Sequence, residues 1–233
     1  MQLFYHPDLS ESLITVSPEE SRHISVLRLK PGESLYLTDG KGLMCKALIA
    51  DSSSKACQLQ VMERYPDYQK RPYYLHIAIA PTKQMERLEW FLEKATEIGV
   101  DEITPVICRH AERREVKTER LQKIIQSALK QSLKSYLPKL NEAIDFDSFA
   151  TSAGITNRFI ANGQVNEKDH IKNHILKSGE SLVLIGPEGD FTEEEVALAG
   201  ANHFRPVSLG PSRLRTETAG VYACVVAAIA ASS

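Results

Sequence analysis

From Tyr73 onward the spacing of apolar residues keeps switching between two periods, and no other feature of the chain limits its fold as much. Tyr73–Ala80 is a β-rich apolar run. Gln84–Ile98 then repeats at helical spacing, with Leu88, Phe91, Leu92, Ala95 and Ile98 on one face. A strand is expected at Ile103–Ile107 and a helix at Thr118–Ser135, stopped by Pro138. Strand-like runs return at Arg158–Ala161, Ser181–Ile185 and Pro206–Leu209, with helices between them and after the last. Such strand–helix alternation predicts an α/β fold with a largely parallel sheet and helices on both faces.

The first 66 residues read differently. Short apolar stretches at Leu3–Tyr5, Leu13–Val16, Ser34–Thr38, Met44–Ala50 and Ala56–Met62 are separated by turn signals such as Lys30-Pro31-Gly32 and Asp39-Gly40-Lys41-Gly42. One helix interrupts them, opened by the capping box Ser17-Pro18-Glu19-Glu20 with proline at the first helical position. Short strands joined by tight turns predict a small barrel, which removes exposed sheet edges. Tyr65–Pro72 is polar, carries two prolines and reads as a linker. Domains are therefore expected at 1–66 and 73–233.

Composition narrows the class. With 42% hydrophobic and 25% charged residues, the 233-residue chain suits a folded globular protein. Its longest apolar run, Ala219–Ala231, is too short to span a bilayer. The N-terminus lacks the pattern of a signal peptide, so a cytoplasmic location is expected. Cys45, Cys57, Cys108 and Cys224 show no metal-binding spacing and are expected to be buried thiols, with no metal site. Net charge is only −2, yet Arg109–Lys139 holds nine Lys/Arg against three Glu. That stretch is either an RNA footprint or a solvated helix face.

Two loops follow predicted strands, where ligands of α/β sheets bind. In Ile185-Gly186-Pro187-Glu188-Gly189-Asp190-Phe191, two glycines either bring backbone close to a ligand or simply make a tight turn. The capping box Thr192–Glu195 then fills the next helix's amide positions, which argues against a phosphate there. In Leu209–Ala219, Arg215 and Glu217 sit where an almost wholly apolar helix begins. Charges in such a place need each other or a ligand. A helix apolar on every side is buried in a core or against another chain. No G-x-G-x-x-G, P-loop, G-x-S-x-G or H-E-x-x-H occurs, so the loops for Rossmann-type hydride transfer, Walker-type phosphoryl transfer and α/β-hydrolase chemistry are missing.

On the segments 185–191 and 209–219 the chain resembles the RsmE family, the 16S rRNA uridine-N3 methyltransferases of the SPOUT superfamily. His23 with Val26-Leu27-Arg28, the helix bearing Lys83, Arg87, Glu89, Lys94, Glu97 and Gly99, and Gln131-Ser132 before Pro138 extend the resemblance over the whole chain. Asp190 stands where the family usually has a second glycine, Ser212-Arg213 where it has Arg-Ile, and Lys134 where an arginine is common.

The resemblance implies a PUA-like N-terminal barrel and a SPOUT-type α/β domain threaded into a trefoil knot, which the general rarity of knots would not have suggested. It implies S-adenosylmethionine as cofactor, held by Ile185, Gly186, Glu188, Gly189, Leu209, Gly210, Leu214, Thr218 and Ala219. Uridine N3 must lose a proton, so Glu217 is the candidate base and Arg215 the candidate charge stabiliser, unless the two merely pair. The implied partners are 16S rRNA of the small ribosomal subunit and a second copy in a homodimer. RNA contacts are expected from Arg28, Arg113, Arg114 and Lys117, and from His23 unless that ring is simply packed. An SPOUT enzyme acting on tRNA and a non-catalytic RNA-binding protein are the alternatives.

Overall fold

A computed structural model describes residues 1–163, 169–175 and 177–232. The chain divides into two units, 1–70 with 126–137, and 71–125 with 138–233.

The first unit holds β1 (Leu3–Tyr5), β2 (Leu13–Thr15), α1 (Pro18–Val26), β3 (Ser34–Thr38), β4 (Met44–Asp51) and β5 (Gln58–Tyr65). The strands form one sheet in the order β1-β3-β4-β5-β2, antiparallel except where β1 meets β3. Two-residue alternation puts Leu35, Leu37, Cys45, Ala47, Ile49, Leu59 and Val61 on the buried side, with Phe4 and Ile24. The Ser17 hydroxyl accepts from the Glu20 amide at 3.2 Å and caps α1.

The second unit is built on β6 (Tyr73–Ile79), β7 (Glu102–Ile107), β8 (Lys139–Leu140), β9 (Ile144–Asp145), β10 (Arg158–Ala161), β11 (Gly179–Ile185) and β12 (Arg205–Val207). Every pairing is parallel, in the order β12-β10-β11-β6-β7-β8, with β9 also on β7. Strand β11 thus enters between β10 and β6. The connecting helices are α2 (Met85–Ile98), α4 (Phe146–Ser152), α5 (Glu193–Ala201) and α6 (Thr216–Ser232). On one face Ala78, Ala80, Leu182 and Leu184 pack with Phe146, Phe149, Phe191 and Ala199 of the α4–α5 side. On the other face α6 lies against α2, β6 and β11. The α/β alternation expected from Tyr73 onward is what the chain adopts.

The remaining helix, α3, covers Thr118–Gln131 and stops well before Pro138. Leu133 turns left-handed at φ 56°, and the Lys134 amide donates back to the Leu129 carbonyl at 3.0 Å. This backbone cap ends the helix without help from proline. All four cysteines are buried free thiols. Among the described residues no helix is long and apolar enough to cross a membrane, and no cluster of His, Cys, Asp or Glu is placed to hold a metal.

Candidate functional site

Strands β12, β10 and β11 are neighbours, so the loops at their carboxyl ends converge. Together they line a cavity of about 520 Å³, within the size range of small-molecule sites. Ile185–Asp190 form one wall and Ser208–Leu214 another, with Thr216 and Ala219 from the start of α6. The Thr216 hydroxyl donates to the Gly186 carbonyl at 3.0 Å and ties the two loops together.

The first loop is held from outside. The Glu188 carboxylate accepts from the Lys83 amide at 3.3 Å. The His110 ring nitrogen lies 3.2 Å and 3.1 Å from the carbonyl oxygens of Gly189 and Asp190. A Cβ on Gly189 would come within 3.2 Å of His110, and one on Gly186 within 3.0 Å of the Phe191 ring. Asp190 has φ 63°, a left-handed conformation that Asp tolerates better than most residues, and its carboxylate accepts from the Phe191 amide at 2.8 Å. The Thr192–Glu195 capping box is fully formed, with buried Glu195 also accepting from the Arg109 amide at 2.8 Å. Two of the amides at the start of α5, those of Thr192 and Glu195, are therefore already engaged.

Of the residues expected to hold a cofactor, Ile185, Gly186, Glu188, Gly189, Leu209, Gly210, Leu214 and Ala219 line this cavity. Thr218 does not. The helix step turns it away from Thr216 and Ala219 into an adjacent groove. Sequence reasoning passed over Ala161, Asn162 and Gly163, which complete the cavity at the end of β10. Their signal was an Asn-Gly turn directly after a predicted strand.

The adjacent groove, of about 530 Å³, is lined by Glu86, Arg87, Trp90, Arg213, Leu214, Arg215, Glu217 and Thr218. Arg213 and Leu214 belong to both spaces. Glu217 is only 6% exposed. Its charged neighbour is Arg87, with Nε 3.9 Å from Oε1, rather than the exposed Arg215, and its other oxygen is buried without a hydrogen-bond partner.

Strongly perturbed acid–base groups lie in another cavity of the second unit, about 390 Å³, lined by His76, Glu102, Thr104 and Asn141 among others. Burial drives the His76 imidazole down to about 4, and Lys139 adds to this while Glu102 opposes it. Burial raises the Glu102 carboxyl, but hydrogen bonds from Tyr74, Asn141 and Lys139 outweigh it and hold the group at about 2.

His23 is exposed, with its ring 5.3 Å from that of Phe4, and Arg28 is exposed at φ 56°. In the basic stretch, Arg109, Arg120, Lys130 and Lys139 each face a carboxylate at 2.6–3.9 Å. Arg113 donates to the Lys83 carbonyl at 3.1 Å, while Arg114 and Lys117 are exposed.

Comparison with known proteins gives the family. Residues 69–228 match the RNA methyltransferase domain family and residues 16–62 the RNA methyltransferase PUA domain. The ribosomal RNA small subunit methyltransferase E of Rickettsia conorii is 32% identical over 209 residues, covering 85% of this chain and 82% of that protein. The crystal structure of a probable rRNA-methyltransferase from Porphyromonas gingivalis superposes with a TM-score of 0.86 at 41% identity, over 96% of this chain and 95% of the other. That of a ribosomal RNA small subunit methyltransferase E from Neisseria gonorrhoeae, bound to S-adenosyl methionine, gives 0.88 at 28% identity, over 96% and 95%.

Proposed function

This chain belongs to the RNA methyltransferase family, and from that premise we propose that it methylates N3 of a uridine in 16S rRNA of the small ribosomal subunit, using S-adenosylmethionine. One observation carries the reading. The two loops that bear the family motifs close on a single cavity, and that cavity shares a wall with a groove holding a buried carboxylate.

The cavity's chemistry fits the cofactor. Backbone groups of three loops and the apolar Ile185, Leu209, Leu214 and Ala219 suit an adenine ring, while Glu188, Asp190 and Arg213 suit its hydroxyls and charged amino-acid end. When bound, S-adenosylmethionine supplies a methyl group on a positively charged sulfur. The protein's task is the acceptor. Uridine N3 is a poor nucleophile until its proton leaves, and Glu217 is the group that takes that proton. Arg215, exposed on the same groove, stabilises the charge that grows on the base oxygens or orients the RNA.

The finer architecture belongs to the same proposal. The match to a PUA domain supports a PUA-like barrel within 1–66 ahead of a SPOUT domain at 73–233. Entry of β11 between β10 and β6, with α6 returning over β6 and β11, supports a knotted connection. Exposed Trp90 on α2 and Ile229 on α6, the latter 62% exposed, support a homodimer that covers these helices. A site in rRNA and the lack of a membrane-crossing helix among the described residues support a cytoplasmic location.

The test uses small subunits from cells lacking this protein. They should contain one uridine that gains an N3-methyl on incubation with the protein and cofactor. Methylation of tRNA instead, or of no RNA, would refute the assignment. A purely RNA-binding module would show no saturable S-adenosylmethionine binding.

A further inference from the structure

We propose that the cavity lined by His76, Glu102 and Asn141 is a second ligand site, built to take the amidine edge of an aminated base such as cytosine or adenine. It shares no residue with the cofactor cavity or with the groove beside it, so it stands apart from the methyltransferase reading.

The starting point is a hydrogen-bond chain with a loose end. Asn141 Nδ2 donates to Glu102 Oε1 and to Thr104 Oγ1, each at 2.7 Å, which uses both of its hydrogens. His76 Nε2 lies 2.7 Å from the same Thr104 oxygen. Thr104 is buried, and this ring nitrogen is the acceptor its hydroxyl hydrogen can reach. Burial keeps the imidazole neutral, down at about 4, so it carries a single hydrogen. With Nε2 accepting from Thr104, that hydrogen sits on Nδ1. The same tautomer turns an N–H, rather than a lone pair, toward the Glu102 carboxylate.

His76 is only 7% exposed, yet among the described residues its Nδ1 meets nothing closer than Glu102 Oε2 at 3.9 Å, beyond hydrogen-bond range. One ligand group that accepts from Nδ1–H and donates to Oε2 bridges this gap. The N=C–NH₂ edge of cytosine or adenine does both. Its ring nitrogen accepts from His76, and its amino group donates to Glu102, where the Tyr74 hydroxyl at 2.5 Å leaves Oε2 a further lone pair. Uracil carries N–H in place of that ring nitrogen, so donor would face donor at His76.

The rest of the cavity suits a flat ring. Ile144, Phe149, Ile155 and Leu182 give it apolar walls, and Phe149 meets the imidazole edge-on with centroids 5.7 Å apart, which holds the ring in place. Its volume of about 390 Å³ falls at the small end of ligand sites. Such a base comes either from a free nucleoside or nucleotide or from an RNA strand. A strand has a path to it, because Glu142 on the cavity's lining accepts from the Thr118 hydroxyl at 2.9 Å, next to exposed Lys117 of the basic stretch.

The protein is saturated with S-adenosylhomocysteine, to occupy the cofactor cavity, and titrated with cytidine, adenosine, uridine, and single strands of oligocytidine and oligoadenosine. Calorimetry gives the affinities, and the His76 ring resonances, identified by their loss in His76→Phe, report where each probe sits. An aminated probe should shift those resonances saturably and bind about tenfold or more tighter than uridine. Shifts with the nucleosides alone make a free nucleoside or nucleotide the occupant, shifts with the strands alone make it a base in RNA, and shifts with both show a site open to either source. His76→Phe keeps a flat ring but removes the N–H, and should weaken the aminated probes at least about tenfold while S-adenosylmethionine affinity stays unchanged.

Uridine binding as tightly as cytidine and adenosine would overturn the proposal, as would His76 resonances that ignore every probe, or unchanged affinities in His76→Phe. Should that variant fail to fold, Ser152→Trp decides instead. Ser152 is exposed on the cavity's lining, so a bulky ring there should block the aminated probes without touching the hydrogen-bond chain, and undiminished binding would sink the assignment.

Discussion

The same substitution, glycine to alanine, should have opposite effects in two helices of this protein. A Cβ added to Gly220 in α6 would stand 2.6 Å and 2.8 Å from ring carbons of Phe91 and 3.1 Å from the end of Ile79. Carbon atoms in contact prefer roughly 3.5–4.0 Å, and both neighbours are wholly buried, so neither has room to withdraw. Overpacking of this kind costs about 1–3 kcal/mol. Contacts this short belong in the upper half of that range, and since helix propensity returns about 1 kcal/mol, Gly220→Ala should be about 1–2 kcal/mol less stable. Gly200 in α5 is exposed with nothing within 4 Å of an added Cβ. Gly200→Ala should therefore gain about 0.5–1 kcal/mol, largely by restricting the unfolded chain. Urea unfolding followed by Trp90 fluorescence measures both, since Trp90 adjoins Phe91 on α2. Because α2 carries Arg87 and α6 carries Glu217, Gly220→Ala should also slow methyl transfer. A Gly220→Ala protein as stable as wild type would show that the missing side chain does not hold α6 against α2.

Further outcomes follow from the same contacts. Gly189→Val should weaken S-adenosylmethionine binding at least about tenfold in calorimetric titration while the fold survives, because a branched side chain meets His110 and displaces the loop; near-normal affinity would mean that the loop is only a turn. Replacing Arg113, Arg114 and Lys117 with alanine should weaken RNA binding without changing which base is methylated, and should flatten the log affinity versus log salt plot by roughly 0.7–0.9 per lost phosphate contact. Arg113 should contribute least, since its guanidinium already donates to the Lys83 carbonyl; an unchanged salt slope would identify the stretch as solvated surface. Acid should destabilise the second unit in two stages. His76 titrates at about 4 when folded against an ordinary 6.5, so its stabilisation is complete above pH 6.5 and is lost as pH falls toward 4. Glu102, at about 2 against 4.5, extends the loss below pH 4.5, and each displacement is worth at most roughly 3 kcal/mol. Urea midpoints between pH 7 and 3 should lose the upper stage in His76→Gln and the lower in Glu102→Gln; unchanged profiles would refute the linkage.

What the sequence by itself determined are features set within a few residues. Helical spacing marked the buried face of α2, where Leu88, Phe91, Leu92 and Ala95 are all covered, and the Thr192–Glu195 box announced the start of α5. Motif loops also declared themselves, because a glycine or a capping residue owes its place to the backbone beside it. Even the glycine position taken by Asp190 is explained locally, by a left-handed φ that glycine and aspartate both adopt. The end of α3 was less legible. Leucine seldom takes the left-handed cap position, so Leu133 gave no warning and Pro138 attracted the boundary instead.

Tertiary structure alone decided which of these pieces meet. Asn162 and Gly163 join the cavity because β10 lies between β12 and β11, an order that follows from packing the whole sheet rather than from any short segment. The sequence left open whether Glu217 pairs with nearby Arg215 or serves the reaction, and the first turn of α6 buries Glu217 while leaving Arg215 in solvent. Its neighbour is Arg87, brought near because Gly220 lets α6 approach α2. Period and turn chemistry are local properties and can be read along a chain. Proximity between distant residues depends on how faces without a label pair up, and only burial of the complete core selects one pairing.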